Sequence, residues 1–185
     1  MKFKYVKILK NINFWKLLSY IILLYLASMF VSRHKALFTF FFLLFLASIS
    51  RLYNHYFFLP QLGFELYSTA TVLTGLILGP MWGLLQGLLS NFFAYFLSGK
   101  IKYYTYISMV SWGLIGFVCG HLRHFNINLS ILGVGFVLIY DLITTPIFVI
   151  SGARITSALF HFVTHFLLSL FLFRTVAPLL YTMLR

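Results

Sequence analysis

Residues 65–87 read ELYSTATVLTGLILGPMWGLLQG, and this stretch decides how the chain divides into helices. A single helix through residues 62–98 would be about 55 Å long at ~1.5 Å per residue, too long to cross a bilayer of ~30 Å once. Proline lacks an amide hydrogen and disfavours helix in the residue before it. The pair Gly79-Pro80 therefore predicts a tight turn between two helices.

Glycines recur at helical spacing around this turn and again in a later segment. Lipid offers no hydrophobic drive for helix association, so small residues on one helix face allow two backbones to approach closely. This pattern predicts a compact bundle with short distances between helix axes. We expect these glycines and the proline of the turn to define the packing: Gly75, Gly79, Pro80, Gly83, Gly87, Gly116 and Gly120.

The composition identifies the class of protein. Mean hydropathy is +0.98, 21% of the residues are aromatic and 9% are charged, whereas about a quarter of residues are charged in a soluble domain. The apolar runs are long and show no recurrent alternation of period two, so they predict helices and not strands. We predict an all-α integral membrane protein, with apolar stretches at about residues 17–32, 36–50, 62–79, 81–98, 104–122, 128–150 and 156–180.

Basic residues are concentrated at the ends of these stretches. The net charge is +12, and this distribution is typical of contact with anionic lipid headgroups and not with nucleic acid. We predict a multi-pass protein of the cell membrane, with a basic N-terminus and one extra hydrophobic segment in residues 1–35 and a compact six-helix core in residues 36–185. The number of basic residues on each side does not separate this arrangement from seven full spans.

Asp141 is one of two acidic residues in the chain, the other being Glu65. It lies inside residues 128–150, a run with no other charge. An ionised carboxylate in hydrocarbon costs at least a few kcal/mol, and such residues persist mainly where they face a cavity, a partner or a ligand. We predict that Asp141 points into the bundle and contacts a ligand or a network that orders the ligand, with Thr145 or a histidine such as His161 among its possible partners.

Three sequence patterns occur in an order that is typical of one family. Residues 65–87 contain an acidic residue followed by a Gly-x-x-x-Gly-Pro-x-x-Gly turn, residues 90–93 read SNFF, and residues 111–120 read SWGLIGFVCG. Together they resemble the substrate-binding (S) subunits of energy-coupling factor (ECF) transporters. The resemblance covers about residues 36–185, and it implies a six-helix core that binds a vitamin or a similar small molecule from outside.

The resemblance also implies partners for the chain. Such subunits act with a membrane coupling (T) subunit and two cytoplasmic ATPases. The sequence contains no Gly-rich phosphate loop of the Walker type, so an ATP-driven step requires other chains in any case. We therefore expect a transport subunit and not an enzyme. We expect loops near residues 51–65, 99–104 and 151–156 to close over the ligand.

We predict that polar and aromatic side chains bind the substrate: Glu65, Asn91, Tyr95, Tyr104, Trp112, Asp141 and Thr145. Structural roles remain open for them: Asn91 for hydrogen bonds between helices, Trp112 for anchoring the start of its helix at the interface, and Thr145 for a proline kink. His161 and His165 share a helix face, but no acidic third ligand lies nearby in sequence, so we expect packing or helix–helix hydrogen bonding. No metal or cofactor is predicted.

Two other classes of function fit the same composition. A multi-spanning scaffold of the cell-wall elongation and cell-shape machinery would have a similar size and helix number, and it would need no ligand pocket. An intramembrane enzyme has less support, because the sequence shows no paired acid–base set and no convincing metal set. The ligand itself is not identified by the sequence; a corrin, a thiamine precursor or a modified nucleobase would fit the family.

Overall fold

A computed structural model of the protein describes residues 19, 22, 33–52, 63–99, 101 and 103–185. The chain divides into two compact units, Met1–Phe38 and Thr39–Arg185. In the first unit the described residues are Ser19, Ile22 and residues 33–38, of which the last ones belong to a helix. The extra hydrophobic segment predicted at residues 17–32 therefore lies outside the described residues, apart from two positions. Parts of the predicted loops near residues 51–65 and 99–104 lie outside them as well.

Throughout the described residues the secondary structure is helical, and no strand occurs among them. The last helix contains one π-helical turn, Leu172–Val176, between the α-helical parts Ile155–Phe171 and Ala177–Leu184. We number the six helices of this part of the chain as α1 Lys35–Ile49, α2 Leu66–Leu78, α3 Pro80–Leu97, α4 Tyr103–Leu122, α5 Leu129–Ile150 and α6 Ile155–Leu184.

Helices α4, α5 and α6 are long and apolar enough to cross a membrane. Their outer faces carry large apolar side chains, and Ile131 and Leu142, for example, are more than half exposed. A surface of this kind is stable against lipid and unstable against water. The prediction of an all-helical protein is therefore confirmed for the described residues, and the three apolar helices support the predicted association with a membrane.

Helices α2 and α3 meet at a turn of one residue, Gly79. Its φ of 105° lies in the left-handed region that side chains with a Cβ rarely adopt. The Gly79 amide donates to the Gly75 carbonyl at 2.9 Å, which ends α2. Pro80 then begins α3, where its missing amide hydrogen has no helical partner to lose. The chain thus reverses between two helices with no intervening loop.

The glycines of α3 lie directly against the backbone of α4. A Cβ added to Gly83 would overlap the carbonyl group of Gly116, and a Cβ added to Gly116 would overlap Gly83 in return. Gly87 and Gly120 make equally close approaches, to the Trp112–Gly113 backbone and to the Gly79–Pro80 turn respectively. Backbone contact of this kind replaces side-chain interdigitation where two helices pack in a membrane.

Helix α2 is the most buried helix of the bundle, because every residue from Tyr67 to Gly75 is buried. Around it the core is built from large side chains of several helices, including Leu43 of α1, Trp112 of α4, Val137 of α5 and Phe173 of α6. The start of α2 is consequently surrounded by protein. This placement matters because Glu65 immediately precedes α2.

Candidate functional site

Six helix ends meet at one end of the bundle, which we call the site end. The Tyr103 hydroxyl at the start of α4 donates to the Ser151 carbonyl after α5, and the ring centroids of Tyr104 and Phe148 lie 5.3 Å apart. At the opposite end, Gly79 and Arg123 approach each other. The two acidic residues of the predicted binding set, Glu65 and Asp141, lie toward the site end.

Glu65 is held at the site end by the short segment before α2. Gly63 packs so closely on α6 that an added Cβ would overlap the His165 backbone, and its amide donates to Thr164 Oγ1 at 3.2 Å. This contact fixes Glu65 against α6, with the residue 1% exposed. A glycine is therefore required at residue 63 to bring the carboxylate to the histidines.

The Glu65 carboxylate forms an ion pair with Arg51. Arg51 Nη2 lies 3.3 Å from Glu65 Oε1, and the two side chains are 12% and 1% exposed. The Tyr67 hydroxyl donates to the other carboxylate oxygen. The Arg51 guanidinium also lies over the Tyr95 ring, 4.0 Å from its centroid, in a cation–π contact. Arg51 was not singled out from the sequence, and the structure places it as a largely buried partner of Glu65.

Asp141 points into the bundle and is 1% exposed. Both of its carboxylate oxygens lie 2.9 Å from Nδ1 of His165 on α6. A buried carboxylate is stable when it has such a partner, because the hydrogen bond offsets part of the lost hydration. The inward direction expected for Asp141 is thus observed, and its partner is His165, one helical turn beyond the His161 named from the sequence.

The two histidines stack on α6 and reach toward Glu65. Their ring centroids are 5.4 Å apart with planes inclined by 18°. His161 Nε2 lies 4.0 Å from Glu65 Oε1, and His165 Nε2 lies 3.8 Å from Glu65 Oε2. No acidic residue lies near the two histidines in the sequence. The fold supplies one, Glu65, which precedes His165 by 100 positions.

A cavity of about 150 Å³ opens beside this cluster at the site end. Its surface is more apolar than polar, with aromatic and hydroxyl-bearing side chains in the lining, and His161 connects it with the Glu65 carboxylate. Three of the predicted substrate-binding residues, Tyr95, Tyr104 and Thr145, line it. The full lining is Arg51, Tyr95, Tyr104, Thr145, Phe148, Ala153, Ser157, Ala158 and His161.

Two predicted binding residues, Asn91 and Trp112, lie deeper in the bundle and do not line the cavity. Asn91 donates to the Gly87 carbonyl at 3.1 Å and accepts from Ser108 Oγ at 2.9 Å. These contacts fit the alternative role of joining α3 to α4. Ser108 also shares a hydrogen bond of 2.8 Å with the Tyr140 hydroxyl, which extends the network to α5.

Trp112 was expected to anchor the start of its helix at the interface, and this expectation was wrong. Helix α4 begins at Tyr103, nine residues earlier, so that Trp112 falls at mid-helix. Its side chain is fully buried and its ring lies 4.9 Å from the Tyr140 ring and 6.5 Å from the His165 ring, centroid to centroid. Trp112 therefore packs in the core beside Tyr140 and His165.

Together, the fold and the site define a helical, membrane-associated protein with a buried charged cluster beside a small cavity. Comparisons of the chain with protein-family models, with curated proteins and with solved structures found no match. The side chains of the site offer two kinds of chemistry. Arg51 and the tyrosine hydroxyls can donate hydrogen bonds to an anionic or carbonyl group, whereas the imidazoles and the Glu65 carboxylate can bind a cation.

Proposed function

We propose that this protein is the substrate-binding subunit of an ECF-type, ATP-driven uptake transporter in the cell membrane. In this proposal a compact six-helix membrane core captures a small vitamin-like molecule from outside. The observation that carries it is the cavity at the site end, whose lining combines the Arg51 cation with aromatic and hydroxyl-bearing side chains. Charged groups inside a membrane bundle are costly and mark ligand sites by default. A pure scaffold would have no need of them.

The proposed binding mode follows from the lining. The ligand lies between Tyr104 and Phe148 on one side and Tyr95 with Arg51 on the other. Arg51 is held in place by Glu65 and by the Tyr95 ring, so its guanidinium is already oriented before the ligand arrives. Preorganised donors bind more tightly because less side-chain entropy is lost on binding.

The size of the cavity restricts the class of ligand. Its volume of about 150 Å³ is smaller than the ~300–1,000 Å³ usual for drug-sized ligands. A single-ring molecule, such as a thiamine precursor or a modified nucleobase, suits this volume better than a corrin does. A carbonyl or acidic substituent on the ring would accept hydrogen bonds from Arg51.

The distribution of arginines supports an outward-facing site end. Arg51 is paired inside the protein and is not a flanking charge. Among the described residues, Arg154 is exposed at the site end, and Arg123 and Arg185 are exposed at the opposite end. Since positive residues flank helices mainly on the cytoplasmic side, the opposite end faces the cytoplasm in the proposed orientation. The coupling subunit and the ATPases act there.

Native mass spectrometry of the detergent-purified protein tests the proposal by looking for a co-purified small molecule. We expect a ligand on the wild-type protein and its loss from Tyr104→Ala. The matched control is Tyr106→Ala, because Tyr106 lies on the same helix and is 61% exposed, away from the cavity. A wild-type protein without ligand, or equal occupancy in both variants, would contradict the proposal. Absence of ligand with co-purified morphogenesis proteins would support the scaffold.

A further inference from the structure

We propose that Glu65, His161 and His165 bind a divalent transition-metal ion. Their ligand atoms, one carboxylate oxygen and two imidazole nitrogens, all lie within 4.8 Å of one another. The three residues come from two separate parts of the chain, the segment before α2 and one face of α6. This inference goes beyond the proposed function and does not depend on it.

The distances in the cluster are close to those of a metal centre. In a tetrahedral zinc site with bonds of about 2.0–2.1 Å, two ligand atoms lie about 3.3–3.4 Å apart. The separations are 3.8 Å from His165 Nε2 to Glu65 Oε2 and 4.0 Å from His161 Nε2 to Glu65 Oε1. With one ligand atom taken from each residue, all three atoms lie within 4.8 Å of one another. For one Glu65 oxygen and both nitrogens to bind a single ion, the cluster would therefore have to contract by roughly 0.5–1.5 Å along its edges.

His165 supplies an independent observation that points to a ligand. Its Nε2 atom is buried and has no hydrogen-bond partner among the described residues, and the residue is 0% exposed. A buried polar atom without a partner is costly, so it requires an explanation. Nε2 is also the atom that faces Glu65. A metal ion between them would satisfy it.

Asp141 positions His165 for this role. The Asp141 carboxylate accepts from Nδ1 of His165, which leaves Nε2 as the nitrogen that carries the free lone pair. Ligating histidines in metal sites almost always donate their other nitrogen to a carboxylate, a carbonyl or water. Here Asp141 is the carboxylate that accepts from Nδ1, and His165 is the histidine whose Nε2 faces the proposed ion. It also accounts for an acidic residue in the middle of an apolar helix.

Arg51 is the main charge that opposes a cation here. It approaches one Glu65 oxygen at 3.3 Å, but a carboxylate has about four lone-pair sites on two oxygens and can serve several partners. The competing explanation is a protonated His165 held between Asp141 and Glu65, which would balance the charges without a metal. The two explanations use the same residues and differ in one measurable property, affinity for a metal ion.

The ligand set selects the chemistry of the ion. Two imidazoles and one carboxylate suit zinc, cobalt, nickel or iron, whereas magnesium and calcium prefer oxygen ligands throughout. Three protein ligands leave a fourth position open. Because His161 lines the cavity, that position lies next to the space in which a small molecule would bind. A donor atom of that molecule could complete the coordination.

The test uses the full-length protein, purified with a tag that contains no histidine and stripped with a chelator. Titration with Co²⁺ should give the visible absorption of tetrahedral cobalt at about one ion per chain, and Zn²⁺ should displace it. His161→Ala should weaken binding at least ~100-fold through loss of a ligand. Asp141→Asn should weaken it by ~10–100-fold while the cobalt spectrum persists, since Asp141 only positions a ligand.

The matched control is His121→Ala, because His121 is an exposed histidine toward the opposite end of α4. It should bind cobalt like the wild type. Wild-type protein that binds no cobalt, or equal binding by the His161 and His121 variants, overturns the proposal. If His161→Ala does not fold, His161→Gln replaces it. Cobalt binding without any captured small molecule would contradict only the proposed transport function. A captured small molecule without cobalt binding would contradict only the metal site.

Discussion

At the scale of single residues, both acidic side chains of this protein are buried and each has a basic partner. Asp141 is paired with His165, and Glu65 with Arg51. Asp141 does not line the cavity. Direct contact of Asp141 with a ligand and membership of a network that orders the site both stay predictions, and the contact with His165 favours the second. The cost of burying each carboxylate is therefore offset locally by its partner.

The Arg51–Glu65 pair gives a residue-scale prediction. Arg51→Gln and Glu65→Gln should each lower the free energy of unfolding by about 3–5 kcal/mol, because each leaves an uncompensated buried charge. The double variant removes both charges, so it should lose less than the sum of the two single losses. Thermal unfolding in detergent with chelator present measures all four proteins. Additive losses would mean that the two side chains do not interact in the folded protein.

At the scale of helices, glycine positions decide how closely the bundle packs. Gly83 and Gly116 face each other with no room for a side chain on either. Gly135 on α5 has nothing within 4 Å of the place where a Cβ would be. The same residue type therefore has opposite roles at these positions. In one it permits backbone contact, and in the other it only raises the flexibility of the unfolded chain.

This contrast predicts opposite effects of the same substitution. Gly83→Ala should lower the melting temperature in detergent, because the new methyl group would overlap the Gly116 backbone. Gly135→Ala should leave it unchanged or raise stability by up to about 1 kcal/mol, since alanine favours helix over glycine. The two variants serve as controls for each other. Equal melting temperatures would show that α3 and α4 are not in backbone contact at Gly83.

Helices and turns could be predicted from the sequence because their signals are local. The pair Gly79-Pro80 and the length of the apolar runs are sufficient to place the junction of α2 and α3. The site could not be predicted in full, because its members are distant in the chain. Glu65 and His165 meet only through the packing of Gly63 on α6. Arg51 carries no local sign of burial. Trp112 was assigned to a helix start although the predicted stretch at about residues 104–122 already puts it near mid-helix, where the structure has it.

At the scale of the whole molecule, the ends of the bundle differ in character. The site end holds the buried charges and the cavity, and the opposite end holds the glycine turn with exposed Arg123 and Arg185. Uptake requires that the cavity be reached from outside. In the proposed transport function the site lies near the end at which the ligand enters, and release at the other end is expected to require energy from the proposed partner chains.

The orientation gives the prediction that bears on the molecule as a whole. The native Cys119 is fully buried, so single cysteines can be added to the wild-type chain without a strong background. Arg154→Cys, at the exposed site end, should react with a membrane-impermeant maleimide in intact cells. Asn126→Cys, equally exposed between α4 and α5, should react only after the cells are broken. The opposite pattern would turn the cavity toward the cytoplasm, and uptake from outside would then be excluded as the function of this site.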